Sequence, residues 1–189
     1  MTTEENTEVK DLHVEPLTTR EQTVLQTLTE MFEQRGYTNV RYDDLELIGQ
    51  NGEEIVTANP RIFSKLNTEV IKGVVLNFEV KEYGHTVLVY EGVPTANVKK
   101  QIDELFKIDK VIEIFSADDL QLNITKHILV PKHELLGDIN GVLPRKFKDK
   151  INLPIILRSD PICRFYNFPK GEVIKVTRRD GFIAYRIVR

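Results

Sequence analysis

The most constraining feature of the sequence is its last third, where cap and turn residues separate short apolar runs. Ser159-Asp160-Pro161 is typical of a helix start, because Ser or Asp accepts the unpaired backbone N–H groups of the first turn and Pro needs no partner there. Ile162, Phe165 and Tyr166 would then share one face of a short helix. The segment is therefore predicted to begin as a helix that buries one apolar face.

Two strands are predicted after this helix. Lys170-Gly171 is a turn signal, and the apolar run from Val173 to Val176 indicates a strand. Asp180-Gly181 is a common hairpin dipeptide, and the run from Phe182 to Val188 indicates the last strand. Residues 122–189 are therefore predicted to form a small α+β domain that ends in a hairpin.

The preceding domain, predicted over residues 16–121, is expected to be α/β. Thr18 and Glu21 fit a helix-capping box, and apolar residues then recur at helical spacing until Gly36. A strand, a helix and a second strand are predicted further on, at residues 86–90, 95–106 and 111–115. This order indicates a βαβ unit with a parallel strand pair.

Three other segments of the chain also receive predictions. Val70–Val80 alternates between apolar and other residues, which favours a strand, and Asn59-Pro60 favours the start of a short helix. Residues 1–15 are polar, acidic and without periodicity, as is typical of a flexible tail. The architecture predicted for the whole chain is α+β.

Charge is distributed unevenly between the two predicted domains. Residues 122–189 hold 14 Lys and Arg against 6 Asp and Glu, a balance of +8, whereas residues 1–121 hold 12 against 23, a balance of −11. Such asymmetry indicates two domains with different neighbours. A basic domain suits nucleic acid or an acidic protein partner, and an ordinary solvated surface is the plain alternative.

Several classes of protein are disfavoured by composition. No apolar run approaches the roughly 20 residues that span a bilayer, and the polar N-terminus lacks the apolar centre of a secretory signal. The single Cys163 excludes an intrachain disulfide, favours a reducing compartment and is predicted to be a buried apolar residue rather than a catalytic thiol. No phosphate-binding loop, nucleophile elbow or dinucleotide fingerprint is present.

Two motifs resemble a known family of shared RNA polymerase subunits, which comprises the fifth common subunit of the eukaryotic enzymes and its archaeal counterpart. The segment from Leu153 is similar to the family pattern Leu-Pro-x-Ile-x-x-(Ser/Gly)-Asp-Pro-(Val/Ile)-x-Arg-(Tyr/Phe), followed by a Lys- and Gly-containing turn and a Tyr-Arg-(Ile/Leu)-Val end. Asn123–His133 resembles the family's entry strand, Asn-Ile-Thr-x-His-x-Leu-Val-Pro-x-His. The hairpin turn before Arg186 is shorter than that of the family. Thr86–Ala96 resembles, more distantly, a strand and loop of the family's jaw domain.

The resemblance implies a non-catalytic subunit of a multisubunit DNA-dependent RNA polymerase, without a metal, a cofactor or a small-molecule substrate. Its C-terminal assembly domain would dock on the largest polymerase subunit, and its jaw-like α/β domain would form part of the lower jaw, in weak contact with downstream DNA. The residues that it implies for the subunit interface are Arg164, Lys170, Lys175, Arg178 and Arg186. Those implied to lie near nucleic acid are Pro94, Thr95, Asn97 and Lys99, and those implied to be structural are His127, Pro131, His133, Asp160, Pro161 and Gly171.

Two alternatives to this function remain open. Glu79-Val80-Lys81, with Asp43 or Asp44 as a second carboxylate, matches half of a metal-dependent nuclease motif, although such tripeptides are frequent by chance. A transcription-regulator adaptor that uses the docking domain is the other alternative. The expected location is the nucleus for a cellular protein, or the cytoplasmic viral factory and the virion for a virus-encoded one.

Overall fold

A computed structural model describes residues 15–81, 83–136 and 153–189. The predicted flexible tail therefore lies, except for Glu15, outside the described residues. Within these ranges the strands form two sheets, one of five strands and one of four. The α+β architecture predicted from the sequence is confirmed.

The N-terminal sheet is mixed. Its strands, in the order in which they lie across the sheet, are β1 (Thr38–Asp43), β2 (Glu46–Asn51), β3 (Glu54–Phe63), β4 (His85–Tyr90) and β5 (Val111–Ser116). The first three strands are antiparallel, and β3, β4 and β5 are parallel to one another. The parallel β4–β5 pair confirms the predicted βαβ unit.

Three helices cover the two faces of this sheet: α1 (Thr19–Gln34), α2 (Thr68–Lys81) and α3 (Ala96–Phe106). Leu28 and Phe32 of α1 pack with Val87 in one buried cluster, whereas α2 and α3 contribute to a second cluster that contains Leu88 of the same strand. Because successive strand residues face opposite sides, the two clusters lie on opposite faces. The predicted capping box of α1 is present at Thr18 and Glu21.

The prediction of a strand over Val70–Val80 is wrong, because this segment is helix α2. Ile71 and Phe78 are buried, while Leu76 and Val80 are 61% and 80% exposed. The helix therefore carries apolar residues outside its buried face as well. These extra apolar residues produce the alternation of apolar and polar positions that is typical of a strand. The helix begins after Asn67, whose side chain accepts a hydrogen bond from the N–H of Val70 at 2.9 Å.

The predicted helix start at Asn59-Pro60 is also wrong, because both residues belong to strand β3. The pairing of β3 with β4 changes register between Asn59 and Ile62. Proline donates no backbone hydrogen bond and is tolerated in a sheet at such an irregularity. The bulge therefore allows the strand to continue to Phe63.

The strands of the C-terminal sheet are β6 (Lys132–Leu136), β7 (Ile155–Ile156), β8 (Val173–Thr177) and β9 (Ile183–Val188), and helix α4 (Pro161–Tyr166) lies between β7 and β8 in the chain. Across the sheet the strands lie in the order β6, β8, β9, β7. The predicted helix start is confirmed, with Asp160 as the cap and Pro161 in the first turn. The antiparallel β8–β9 pair confirms the hairpin.

The segment that resembles an entry strand is extended only at its end. Asn123 accepts a hydrogen bond from the N–H of Thr125 at 3.0 Å and caps a short 3₁₀ turn at Ile124–Lys126. The strand itself begins at Lys132. The Asn123 cap explains why the segment begins with a turn and not a strand, because its side-chain oxygen accepts from a backbone N–H of the turn.

Candidate functional site

Arg35, the residue that ends α1, connects the N-terminal sheet to helix α4. Its Nη1 and Nη2 atoms donate to the two carboxylate oxygens of Glu113 on β5 at 2.6 and 2.8 Å. Its Nε atom donates to the carbonyl of Phe165 at 2.7 Å, and Nη2 also donates to the carbonyl of Arg164 at 2.9 Å. The planar fork of the guanidinium thus holds β5 and the end of α4 together.

Glu113 is ionised in this setting. Burial alone would raise its pKa, but the charge of Arg35 and hydrogen bonds from His85 and Arg35 outweigh burial and lower the pKa to about 2. The Nε2 atom of His85 lies 2.7 Å from the carboxylate of Glu113. A buried carboxylate of this kind depends on its partners for its stability.

The polar cluster continues from His85 toward β3. The Nδ1 atom of His85 lies 3.4 Å from Glu54, and the hydroxyl of Tyr37 donates to the same Glu54 oxygen at 2.8 Å. Burial and the neighbouring Glu54 raise the pKa of Tyr37, so that its hydroxyl stays a donor. The cluster therefore extends from Tyr37 to the end of α4 through Arg35 and Glu113.

Arg164 of α4 reaches in the opposite direction. Its Nη2 atom donates to the carbonyl of Ile114 at 2.6 Å, and its Nη1 atom lies 3.3 Å from the carboxylate of Asp119. Its guanidinium lies over the ring of Phe115, 4.6 Å from the ring centre. Each predicted domain thus contributes one arginine, at the end of α1 or in α4, that donates to backbone carbonyl oxygen of the other. We call this arrangement the domain junction.

A groove beside the domain junction runs between the loop before α3 and helix α4. It encloses about 690 Å³, and its floor includes Ile114 and Phe115. The residues at its sides include Pro94, Lys99, Arg158, Ser159 and Asn167. We call it the junction groove. It contains residues from both predicted domains.

The four residues predicted to lie near nucleic acid surround the start of α3. Thr95 is the helix cap, and its Oγ1 atom accepts a hydrogen bond from the N–H of Val98 at 3.3 Å. Pro94 is buried, while Asn97 and Lys99 are exposed on the first turn. Pro94 and Lys99 line the junction groove, and Thr95 and Asn97 do not.

A second groove, of about 520 Å³, lies on the face of the C-terminal sheet that carries α4. Leu129, Ile155 and Leu157 line it and are 81%, 53% and 60% exposed. Arg178 and Arg186 also line it, and Nη1 of Arg186 donates to the carbonyl of Ile155 at 3.1 Å. We call this surface the docking groove. It combines large exposed apolar side chains with two cations.

The five residues predicted for a subunit interface do not share one surface. Arg178 and Arg186 line the docking groove, whereas Arg164 belongs to the domain junction. Lys175 pairs in register with Tyr185 and, by the alternation of strand residues, points away from the face that carries Arg186. Lys170 is exposed in the turn before β8.

The predicted structural residues order the turns around the C-terminal sheet. The Nδ1 atom of His127 accepts a hydrogen bond from the N–H of Leu129 at 3.2 Å. Nδ1 of His133 donates to the carbonyl of Pro131 at 2.8 Å, and burial lowers the pKa of His133. Gly171 has φ +88°, a backbone conformation that glycine adopts without strain.

The residues of the half nuclease motif lie at the end of α2. Lys81 forms an ion pair with Glu46 at 2.7 Å, and the hydrogen bond to Glu46 raises the pKa of Lys81. In the three described ranges, no group of three or more His, Cys, Asp or Glu side chains is placed to hold a metal ion. The geometry thus gives the nuclease alternative no support.

Cys163 is buried, as predicted, and burial raises the pKa of its thiol to about 11. The thiol therefore stays protonated and unreactive at neutral pH. Across the part of the chain that the structure describes, no helix has the length and apolar character of a membrane span.

Sequence comparisons identify the family. The model for the C-terminal domain of RNA polymerase Rpb5 matches residues 122–188. The chain is 34% identical to "Putative DNA-directed RNA polymerase subunit 454R" of Invertebrate iridescent virus 6, over 87% of this chain and 97% of that protein. The chain belongs to the Rpb5 family of RNA polymerase subunits. Members of this family are structural rather than catalytic subunits.

Two eukaryotic polymerase subunits match a smaller part of the chain than the viral relative does. DNA-directed RNA polymerase V subunit 5A of Arabidopsis thaliana is 39% identical over 54% of this chain and 47% of its own length. DNA-directed RNA polymerases I, II, and III subunit RPABC1 of Caenorhabditis elegans is 27% identical over 66% of this chain and 62% of its own. The viral relative therefore covers more of this chain than either of these two.

Proposed function

We propose that this protein is a non-catalytic subunit of a multisubunit DNA-dependent RNA polymerase, and that it docks on the largest subunit through the docking groove. Residues 122–189 act as the assembly domain, and residues 16–121 form part of the lower jaw near downstream DNA. The observation that carries the proposal is the docking groove, an exposed apolar surface with basic residues on the domain that matches the Rpb5 model. The protein acts in the nucleus if it is cellular, or in the viral factory and virion if a virus encodes it.

The docking groove has the composition of a protein interface. Burying a leucine side chain such as Leu157 or Leu129 against a partner contributes about 1.5–3 kcal/mol each. Arginine is enriched in interfaces because its planar guanidinium can donate two parallel hydrogen bonds to one carboxylate. Arg178 is exposed and can form such a pair. The complementary surface therefore presents apolar side chains beside Asp or Glu.

Contact with downstream DNA is expected to be light and independent of sequence. Lys99 is an exposed cation on the first turn of α3, beside the loop that contains Pro94. A lysine of this kind binds the phosphate backbone and does not read bases. The balance of −11 over residues 1–121 disfavours tight binding by this domain alone.

Affinity purification of the tagged chain from its native source, followed by mass spectrometry, tests the docking proposal. The wild type and a Lys72→Glu control are expected to bring down the large polymerase subunits, because Lys72 is an exposed cation on α2 that does not line the docking groove. Leu157→Asp and Arg178→Glu are expected to lose them. Arg164→Glu is unsuitable for this test, since it disrupts the domain junction.

Two results would overturn the proposal. If the polymerase subunits are absent even with the wild type, the adaptor alternative replaces the polymerase-subunit account. If they are present with all variants, the chain docks through another surface. Circular dichroism of each purified variant checks that the loss of binding does not arise from unfolding.

A further inference from the structure

The junction groove brings together cations from both predicted domains. Lys99 stands on the α3 side, and Arg158 stands on the side of α4. Among the residues that the structure describes, neither of these two cations forms an ion pair. Both side chains are exposed and therefore accessible to a ligand.

Some of the other charged residues that line the groove form ion pairs, and one does not. Glu113 is neutralised by Arg35, and Arg164 is paired with Asp119. Asp103, one helical turn after Lys99, is exposed and forms no ion pair in the described ranges. In the described part of the chain, the groove residues that lack an ion-pair partner are thus two cations, Lys99 and Arg158, and one anion, Asp103.

Arg158 is held in place by neutral groups. Its Nη2 atom donates to Oδ1 of Asn167 at 3.3 Å, and its guanidinium lies 5.8 Å from the ring centre of Phe106 on α3. Asn167 has φ +51°, the left-handed conformation that ends α4, which fixes the direction from which its side chain approaches. An arginine that is oriented without a carboxylate keeps most of its N–H groups for an anion.

We propose that the junction groove binds the phosphate backbone of nucleic acid, with Lys99 and Arg158 holding neighbouring phosphates from opposite sides. The inference rests on the proposed function, because the groove begins at the loop that we place near downstream DNA. It extends that contact onto the assembly domain, through Arg158. The contact is independent of base sequence, since both residues bind phosphate.

The position and lining of the groove favour nucleic acid over an acidic peptide. Ser159 and Asn167 add polar groups beside Arg158. Peptide grooves depend on apolar pockets for their anchors. Leu129, Ile155 and Leu157, which are large, apolar and exposed, line the docking groove instead.

Binding of a fluorescent duplex DNA to the full chain at low salt, followed by anisotropy, tests the inference. Lys99→Glu and Arg158→Glu are each expected to lower the affinity by about threefold to tenfold and to reduce the slope of log affinity against log salt by about 1. Asp103→Asn is expected to raise the affinity. Lys72→Glu and Arg179→Glu change exposed cations that do not line the groove and are expected to leave binding unchanged.

The outcomes separate this inference from the proposed function. If Lys99→Glu weakens binding and Arg158→Glu does not, the loop contact stands and the shared groove is excluded. If Lys99→Glu, Arg158→Glu and Asp103→Asn all leave binding to DNA unchanged, the loop contact and the shared groove are both excluded. If a poly-glutamate peptide binds more tightly than DNA at equal salt and loses affinity in Arg158→Glu, the groove is a peptide site and the inference is overturned.

Discussion

Arg35 and Glu113 form a two-point ion pair at 2.6 and 2.8 Å, with side chains only 4% and 12% exposed. Arg35 also binds the carbonyls of Arg164 and Phe165, so that one side chain connects α1, β5 and α4. This pair therefore fixes the N-terminal sheet against the helix of the C-terminal domain. The stability of the whole chain should depend on it.

Removing Arg35 is expected to be strongly destabilising. Arg35→Ala leaves the buried Glu113 carboxylate without its main partner, and breaking a buried pair in this way costs about 3–5 kcal/mol. Urea denaturation measures the change in the free energy of unfolding. Arg35→Ala/Glu113→Ala should recover part of the loss, because it removes the unpaired charge. A single Arg35→Ala variant as stable as the wild type would contradict the assigned role.

Glu113 should make the protein sensitive to acid. Its folded-state pKa of about 2 lies below the ordinary value of 4.5, so its stabilising contribution is complete above pH 4.5 and is lost as the pH falls toward 2. The shift corresponds to about 3 kcal/mol. The free energy of unfolding, measured by urea denaturation between pH 6 and pH 3, should fall more steeply for the wild type than for Glu113→Gln. Parallel curves for the two proteins would show that Glu113 does not titrate in this way.

Arg164 should contribute to stability even without a partner subunit. Arg164→Ala removes the hydrogen bond to Ile114 and the contact with the ring of Phe115, and we expect a loss of about 1–3 kcal/mol. Arg179→Ala, in the exposed hairpin turn, is the matched control and should stay within about 0.5 kcal/mol of the wild type. Thermal unfolding of the isolated chain measures the difference. If Arg164→Ala and Arg179→Ala melt at the same temperature, Arg164 does not stabilise the domain junction.

Two glycines offer a matched test of the packing around the N-terminal sheet. A Cβ added at Gly73 in α2 meets nothing within 4 Å, and glycine in a helix interior costs about 0.5–1 kcal/mol relative to alanine, so Gly73→Ala should stabilise the protein by that amount. A Cβ added at Gly49 would lie 3.0 Å from Phe32 and 3.1 Å from Tyr37. Gly49→Ala should therefore destabilise by about 1–3 kcal/mol. Thermal melts of both variants check the opposite signs, and a stabilised Gly49→Ala would contradict the packing of α1 on β2.

The elements that the sequence predicted well are those set by local chemistry. The caps at Thr18 and Asp160 each place a side-chain oxygen on a nearby backbone N–H, and such spacing is visible in the sequence. Helix α2 was missed for the opposite reason. Its apolar residues exceed what its buried face needs, so their spacing could not distinguish a helix from a strand.

The domain junction could not be predicted from local patterns. Arg35 and Glu113 are 78 positions apart, and neither stands in a motif that marks a buried pair. Arg164 was predicted for a subunit interface on a family motif, and the motif does not say whether its side chain turns outward or toward Ile114. The grooves likewise depend on the packing of distant segments, which only the folded structure shows.

The most direct test of the central claim is a cryo-electron microscopy structure of the polymerase purified through the tagged chain. We predict that Leu129, Ile155 and Leu157 are buried against the largest subunit, and that the loop containing Pro94 faces downstream DNA. A complex in which the docking groove stays open to solvent, or in which the chain contacts a different subunit through another face, would contradict the account.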